Sequence, residues 1–333
     1  MNILKVQTDT PWQLIEKFKE KATKYTPALG TIAIDNTKQI KRKANDNFQN
    51  NIIANKRPKI NLDSQTQNES PVGLIWDSHN YSCAYDSVFT ILGDIWVYNP
   101  TMWSHEFSLM STFVNKLGVG FQKVSLRQKN LEDVRNSIRK LLYIKDPSAF
   151  PYGTSGVDIS ELFLYLFTGK TIGKVIFNCV NCGTRSNSTV KVTSLITIAQ
   201  KKYNSIEEHI NANINKTKKC NQCGNNVFKT YKYNSPPRFQ VIGLTQQAQN
   251  IKISKSITLR SESNPVVLSI RGAIYYTGAH FVSRIISPTG EVWYHDGIET
   301  KHHCVHEGYL VDFTENTLSY QGSKVCVGIF YSI

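Results

Sequence analysis

The chain has 333 residues, 40% of them hydrophobic, with 16 Tyr and 15 Phe, enough apolar mass for one large domain or two ordinary ones. The first ten residues lack a hydrophobic signal core, and the longest wholly apolar run, Leu162 to Phe167, is far too short to span a bilayer; a soluble, intracellular protein with no membrane partner is expected. Of the +14 formal charge, residues 1 to 70 hold 12 Lys and Arg against 7 Asp and Glu, or +5, and the other +9 is read as spread along the remaining chain, without a helix-turn-helix or aromatic-basic RNA-binding signature.

Residues 1–70 are expected to be a mostly disordered basic tail with one short amphipathic helix, and residues 71–333 the folded domain. The helix is predicted over Pro11 to Tyr25, with Thr10 as N-cap, Pro11 at the first helical position, and Trp12, Leu14, Ile15, Phe18, Ala22 and Tyr25 on one face. After it, two basic clusters, Lys41-Arg42-Lys43 and Lys56-Arg57-Pro58-Lys59, have the layout of a bipartite nuclear-import signal over residues 41–59. A nuclear protein, otherwise a cytoplasmic one, follows from that layout.

The segment Asn80-Tyr81-Ser82-Cys83-Ala84-Tyr85-Asp86-Ser87-Val88-Phe89 opens a helix with a lone cysteine in its first turn. Tyr85, Val88, Phe89, Leu92, Ile95 and Trp96 make the apolar stripe, whereas Cys83 shares its face with Asp86, Ser87, Thr90 and Asp94, a face predicted to look into a cleft or water. A helix N-terminus carries partial positive charge, an environment that favours the thiolate, the form of cysteine that attacks carbonyls. Cys83 is therefore the candidate nucleophile; the alternative is a small buried hydrophobe.

Further on come Cys179-Val180-Asn181-Cys182-Gly183 and Cys220-Asn221-Gln222-Cys223-Gly224. A two-residue gap lets both thiolates of a pair reach one ion, and two such pairs complete a tetrahedral four-sulfur site. Seven cysteines, four of them so arranged, fit structural Zn2+ in a reducing compartment better than disulfides or a redox motif. Between the pairs an alternating strand over Thr189 to Ala199 and a short helix over Ser205 to Ala212 are expected, so the ion would clip a β insertion at about 175–235.

Last, Gly278-Ala279-His280-Phe281-Val282 and Glu291-Val292-Trp293-Tyr294-His295-Asp296 flank Ser287-Pro288-Thr289-Gly290. Pro-Thr-Gly suits a three-residue hairpin loop with Gly290 left-handed. Ser287 then faces Glu291, Val282 faces Asp296, and His280 lies diagonally across from Asp296, roughly 7 Å away at the backbone. The two are a candidate base and its orienting carboxylate.

The order of these pieces resembles the ubiquitin-specific protease family, over residues 73 to 333. Asn80 to Leu92 resembles its cysteine box, Gly278 to Val282 with Trp293 to Gly297 its histidine box, and Val157-Asp158-Ile159-Ser160-Glu161-Leu162 a third motif. Pro236 to Leu244 and Val327 to Tyr331 resemble its core strands. The resemblance implies an α+β, papain-like cysteine protease with a helical thumb, a β-sheet palm and zinc-ribbon β fingers. It also implies a thiol-dependent isopeptidase that cleaves ubiquitin from lysine, with Cys83, His280 and Asp296 catalytic and Asp158 and Glu161 holding the basic tail of ubiquitin. The family's oxyanion Asn is replaced here by Ser78, so the donor is expected to be the Asn80 side chain, with Ser78 as the fallback. Trp76 and Asp86 look like the SUMO-cleaving branch, which keeps SUMO or another ubiquitin-like protein open as substrate. A catalytically inactive nuclear module that binds a modifier or nucleic acid is the third reading.

Overall fold

The apolar stripe from Tyr85 to Trp96 carries α1, Cys83–Tyr98, into the middle of the molecule. The structure is a computed structural model that describes residues 70–333 apart from 180, 184, 216, 217 and 261–263. The expected helix over residues 11–25 and the basic clusters of residues 41–59 lie outside the described residues.

Four more helices follow, each started by a side chain that satisfies a free backbone N–H. Asn99 caps α2, Pro100–Ser108, and Ser111 caps α3, Thr112–Ser125. Asn130 and Asp133 form a reciprocal box at the start of α4, Leu131–Lys145, and Asp158 caps α5, Ile159–Phe167.

The chain then builds two sheets. The smaller is a ribbon in the order β2-β1-β5-β4, from β1 (Gly173–Cys179), β2 (Arg185–Val192), β4 (Lys218–Lys219) and β5 (Asn226–Tyr233). The larger contains β3 (Leu195–Ile198), β6 (Phe239–Leu244), β7 (Ser256–Leu259), β8 (Val266–Thr277), β9 (His280–Ile286), β10 (Glu291–His295), β11 (Val305–Tyr309), β12 (Tyr320–Gln321) and β13 (Lys324–Ser332). Its main order is β11-β10-β9-β8-β13-β6-β3. Helix α6, Ile206–Asn215, lies between β3 and β4 in sequence, and Ser205 Oγ accepts from Glu208 N at 3.2 Å in its first turn.

The central strands of the large sheet, β6 and β13, are buried on both faces. On β13, Phe330 packs with the helices while Ile329 and Tyr331 face a second cluster that includes Ile206 and Ile257, the period-2 alternation of a covered strand. A Cβ on Gly272 would lie 2.7 Å from Ile91, and one on Gly328 would lie 2.5 Å from Phe163, so α1 and α5 sit directly on the sheet backbone. Among the described residues no helix is long and apolar enough to cross a membrane.

Two expectations are corrected. The single strand over 189–199 is two strands in different sheets: β2 ends at Val192, and after Thr193 and Ser194 the chain enters the large sheet as β3, parallel to β6. The polar face of α1 does not look into solvent. Asp86, Ser87, Thr90 and Asp94 are all buried, because Arg135 of α4 pairs with Asp86 at 2.8 Å and Arg271 of β8 pairs with Asp94 at 3.3 Å. Periodicity reported one apolar face; the other is covered by charged partners.

Candidate catalytic site

Cys83 is the first residue of α1 and is 6% exposed. The eight residues before it are tied to the helix by a polar network. Asp77 N donates to Ser82 Oγ at 2.7 Å, Ser82 Oγ donates to Asp86 Oδ2 at 2.6 Å, and Arg135 Nη1 donates to the Ile75 carbonyl at 2.6 Å. Ser82 thus spends its hydroxyl on Asp86 and makes no side-chain cap to the helix. Tyr81 has φ of 39°, the left-handed turn that brings the chain round into the helix.

His280 opens β9 immediately after the two-residue turn Gly278-Ala279. The hairpin has the register expected from its loop: Ser287 N donates to Glu291 O at 3.0 Å, Gly290 has φ of +88°, and His295 pairs with Ser283. One step further on, Asp296 comes opposite Val282, and His280 Nε2 meets Asp296 Oδ1 at 2.8 Å. The loop after β10 is fastened to the cysteine segment, since Trp76 N donates to Gly297 O at 3.1 Å. A Cβ at position 297 would lie 2.9 Å from the Leu74 carbonyl, so the two segments touch only because residue 297 is glycine.

Asp296 is well held as an anion. Besides His280, its Oδ1 accepts from Ile298 N at 2.9 Å, and its Oδ2 accepts from Tyr294 Oη at 3.3 Å. Burial works against its charge, but the His280 and Ile298 hydrogen bonds hold its pKa down at about 2. Burial likewise opposes the His280 cation, and the hydrogen bonds to Asp296 and Cys83 overcome it and raise the imidazole to about 9. With Nε2 donating to Asp296, the other ring nitrogen, Nδ1, is the one left for the sulfur. His280 is hydrogen-bonded to Asp296, and Cys83 is close enough to help raise the imidazole, so the fold brings cysteine, imidazole and carboxylate together across some two hundred residues of sequence, an arrangement able to pass a proton to a leaving group.

Asn80 and Ser78 are placed differently. The Asn80 side chain bridges two loops: its amide donates to Asp77 Oδ2 at 2.9 Å and its carbonyl accepts from Gly153 N at 3.0 Å. One amide hydrogen is left over from that bridge. Ser78 is exposed in the turn between Asp77 and Tyr81. Asp158 is exposed, with its carboxylate accepting from Ser160 N at 2.7 Å, and Glu161 is half-buried one turn along α5. Burial pushes the Tyr276 phenol up, and the nearby Cys83 and Asp158 push it further. The Tyr276 ring packs at a tilt against Phe281, centroids 4.6 Å apart, a cross-strand pair of β8 and β9.

Sequence reasoning missed Arg135, Asp77 and Tyr276. Arg135 and Tyr276 are unremarkable in a string of letters, and nothing local announces a guanidinium 49 residues from its carboxylate. An i, i+3 Asp77–Asn80 spacing before a helix was a legible hint of a turn lock.

The four paired cysteines converge. Their sulfurs all lie within 4.8 Å of one another, with Cys179 and Cys223 3.4 Å apart and Cys182 and Cys220 3.6 Å apart. A zinc ion with sulfurs at about 2.3 Å requires sulfur separations of about 3.8 Å, so the set fits. Gly183 N donates to Cys179 O at 3.0 Å and Gly224 N to Cys220 O at 2.9 Å, and both glycines have φ above +60°, which curls each knuckle back on itself. All four positions are cysteine, so a bound zinc would have no open coordination site and would serve as a clip at the base of the ribbon.

A helical layer on a broad, mostly antiparallel sheet, together with a four-cysteine ribbon, defines an α+β fold that matches the ubiquitin-specific protease fold in general terms. Solved structures agree at the level of the fold. A chain in the SAGA DUB module Ubp8/Sgf11/Sus1/Sgf73 bound to monoubiquitin superposes with a TM-score of 0.54 at 11% identity, over 82% of this chain and 72% of that one. A chain of the same module bound to ubiquitin aldehyde gives 0.50 at 11% identity, over 79% and 69%. No protein-family model and no curated protein sequence matches this chain.

Proposed function

We propose that this protein is a cysteine-type isopeptidase that removes ubiquitin, or a ubiquitin-like protein, from lysine side chains. The observation that supports the reading is the 2.8 Å hydrogen bond between His280 and Asp296, with Cys83 close enough to help raise the imidazole. In the first step the Cys83 thiolate attacks the carbonyl carbon of the modifier's C-terminal glycine, and the carbonyl electrons move onto oxygen. The tetrahedral oxyanion is met by the Cys83 backbone N–H, with the remaining Asn80 amide hydrogen as the nearest side-chain candidate; one such donor typically contributes about 100- to 1000-fold in rate. His280, protonated in the resting pair, gives its proton to the departing lysine amine as the C–N bond breaks. Water, deprotonated by His280, then cleaves the thioester and regenerates the thiolate.

Asp158, and Glu161 behind it, would take the basic tail of the modifier through charge-assisted hydrogen bonds. Two fold neighbours hold ubiquitin or its aldehyde, which favours ubiquitin over SUMO as the modifier. The layout of the basic clusters of residues 41–59 supports a nuclear site for that activity.

The test is labelling with ubiquitin and SUMO carrying an electrophilic C-terminus. The full chain should form an adduct with the ubiquitin probe at Cys83, and Cys83→Ser should form none while still binding ubiquitin. Labelling by the SUMO probe alone would move the substrate to SUMO, and labelling by neither would leave a binding module without catalysis.

A further inference from the structure

Helices α3 and α4 are joined by residues 126–130, a link short enough to make them antiparallel neighbours. One side of this hairpin packs inward: Val114, Leu117 and Phe121 of α3 and Leu142 of α4 belong to the main core cluster, and Phe121 meets Trp96 of α1 with ring centroids 6.0 Å apart. The two helices touch at Gly120, where a Cβ would lie 2.3 Å from Val134. The outer side is open. Two grooves of about 470 and 350 Å³ share Lys116 and Leu141, and so form one trough along the seam.

The trough has an apolar floor and a cationic rim. Val134 and Ile138 are buried in it, Phe113 and Leu141 are half-buried, and Val119 and Ile144 stay 48% and 65% exposed. Single exposed apolar residues are ordinary, but these share one concave lining. Lys116, Lys123, Lys129 and Lys145 line it as well, all exposed, and among the described residues none of the four is in an ion pair. No acid lines it. The two acids of residues 112–145 are engaged at the start of α4, where Glu132 Oε1 accepts from Ile75 N at 3.0 Å and Asp133 Oδ2 from Asn130 N at 3.4 Å. From Thr112 to Lys123 the trough follows α3 for about 17 Å, the length of roughly three helical turns. A helix laid on an antiparallel pair buries its apolar stripe in the seam, and ammonium groups at the edges select carboxylates on its flanks. A phosphate backbone would use the lysines and leave the floor wet, and a flat bilayer would not reach a floor set between them. A second copy would bring the same lysines against these, and the chain's own amphipathic stretch, Pro11 to Tyr25, has four Lys against two Glu.

We propose that the trough between α3 and α4 is the docking site for an acidic amphipathic helix of a partner protein, with its apolar stripe on Phe113, Leu141 and Ile144 and its carboxylates on Lys116, Lys123 and Lys145. It is independent of the isopeptidase reading.

Fluorescence anisotropy with the full chain tests it, the probe being a labelled peptide of about four helical turns with Leu at i, i+3, i+7 and i+10 and Glu on both flanks of that stripe. The peptide should bind saturably, and its twin with Lys in place of every Glu should bind at least tenfold more weakly. Lys116→Glu, Lys123→Glu and Lys145→Glu together should reverse that preference. Ile144→Ser, at a position already 65% exposed, should weaken the Leu/Glu peptide about three- to tenfold. In the wild-type chain, where no variant needs to fold, bound peptide should protect Lys116, Lys123 and Lys145 from chemical acetylation. Equal binding of the two peptides, an unchanged preference in the triple variant, or no protection overturns the proposal. So does sedimentation with phosphatidylserine vesicles that the Leu/Glu peptide fails to displace and Ile144→Ser abolishes, which would assign the trough to a membrane surface. Binding of duplex DNA that the triple variant loses, with no peptide binding, would assign the lysines to phosphates and overturn it too.

Discussion

His280 and Asp296 hold their charges by holding each other. The folded imidazole at about 9 is above its ordinary 6.5, so its share of stability is complete below 6.5 and is lost as pH rises through about 9. The carboxylate at about 2 is below its ordinary 3.8, so its share is present above 3.8 and is lost as pH falls through about 2. An ion pair of this kind donates a proton to the leaving amine only while the imidazole is charged. Turnover of a fluorogenic ubiquitin substrate is therefore expected to hold up to about pH 9 and decline beyond it. Asp296→Asn removes the main contribution that raises His280. It should lower kcat/KM by about 100- to 10,000-fold and move the alkaline limb to lower pH; a limb that stays in place would show that Asp296 does not tune the imidazole.

Within α1 the packing is less tolerant than its sequence suggests. One face is apolar and the other is held by two buried ion pairs, Asp86 with Arg135 and Asp94 with Arg271, each side chain no more than 4% exposed. Removing one partner strands a buried charge. Arg135→Met is expected to cost about 3–5 kcal/mol in chemical denaturation, and adding Asp86→Leu should return most of it, because the uncompensated carboxylate goes too. A double variant no more stable than the single would mean that Arg135 acts through the Ile75 carbonyl and the cysteine loop and not through Asp86. The hairpin of β9 and β10 was more legible: a Pro-Thr-Gly loop allows one register, and that register alone puts His280 and Asp296 on the same face. Asn80 was legible only as a polar residue near the nucleophile, since its acceptor role toward Gly153 N depends on a loop 73 residues away.

For the molecule as a whole, the ribbon is the part with least core of its own. Among the described residues, five buried ones, two of them metal-type cysteines, make up its cluster. Chelating zinc should consequently raise amide hydrogen exchange in β1, β2, β4 and β5 while β8, β9 and β13 stay protected. Exchange that rises equally in both sheets would mean that the metal supports the entire fold. What the chain determined by itself was whatever is local. The 3.6-residue stripe of α1, the Cys-x-x-Cys-Gly knuckles and the loop that sets the hairpin register each depend on residues a few positions apart. Tertiary structure alone decided that the polar face of α1 is buried, that the run after Val192 changes sheets at Ser194, and that Lys116 and Lys145 line one trough. Each of these depends on a partner supplied from elsewhere: Arg271 sits 177 residues from Asp94, β6 lies beyond the ribbon, and Lys145 comes from a different helix than Lys116. Side-chain period reports which residues share a face, and only the packed neighbour decides whether that face meets water, a carboxylate or a second lysine.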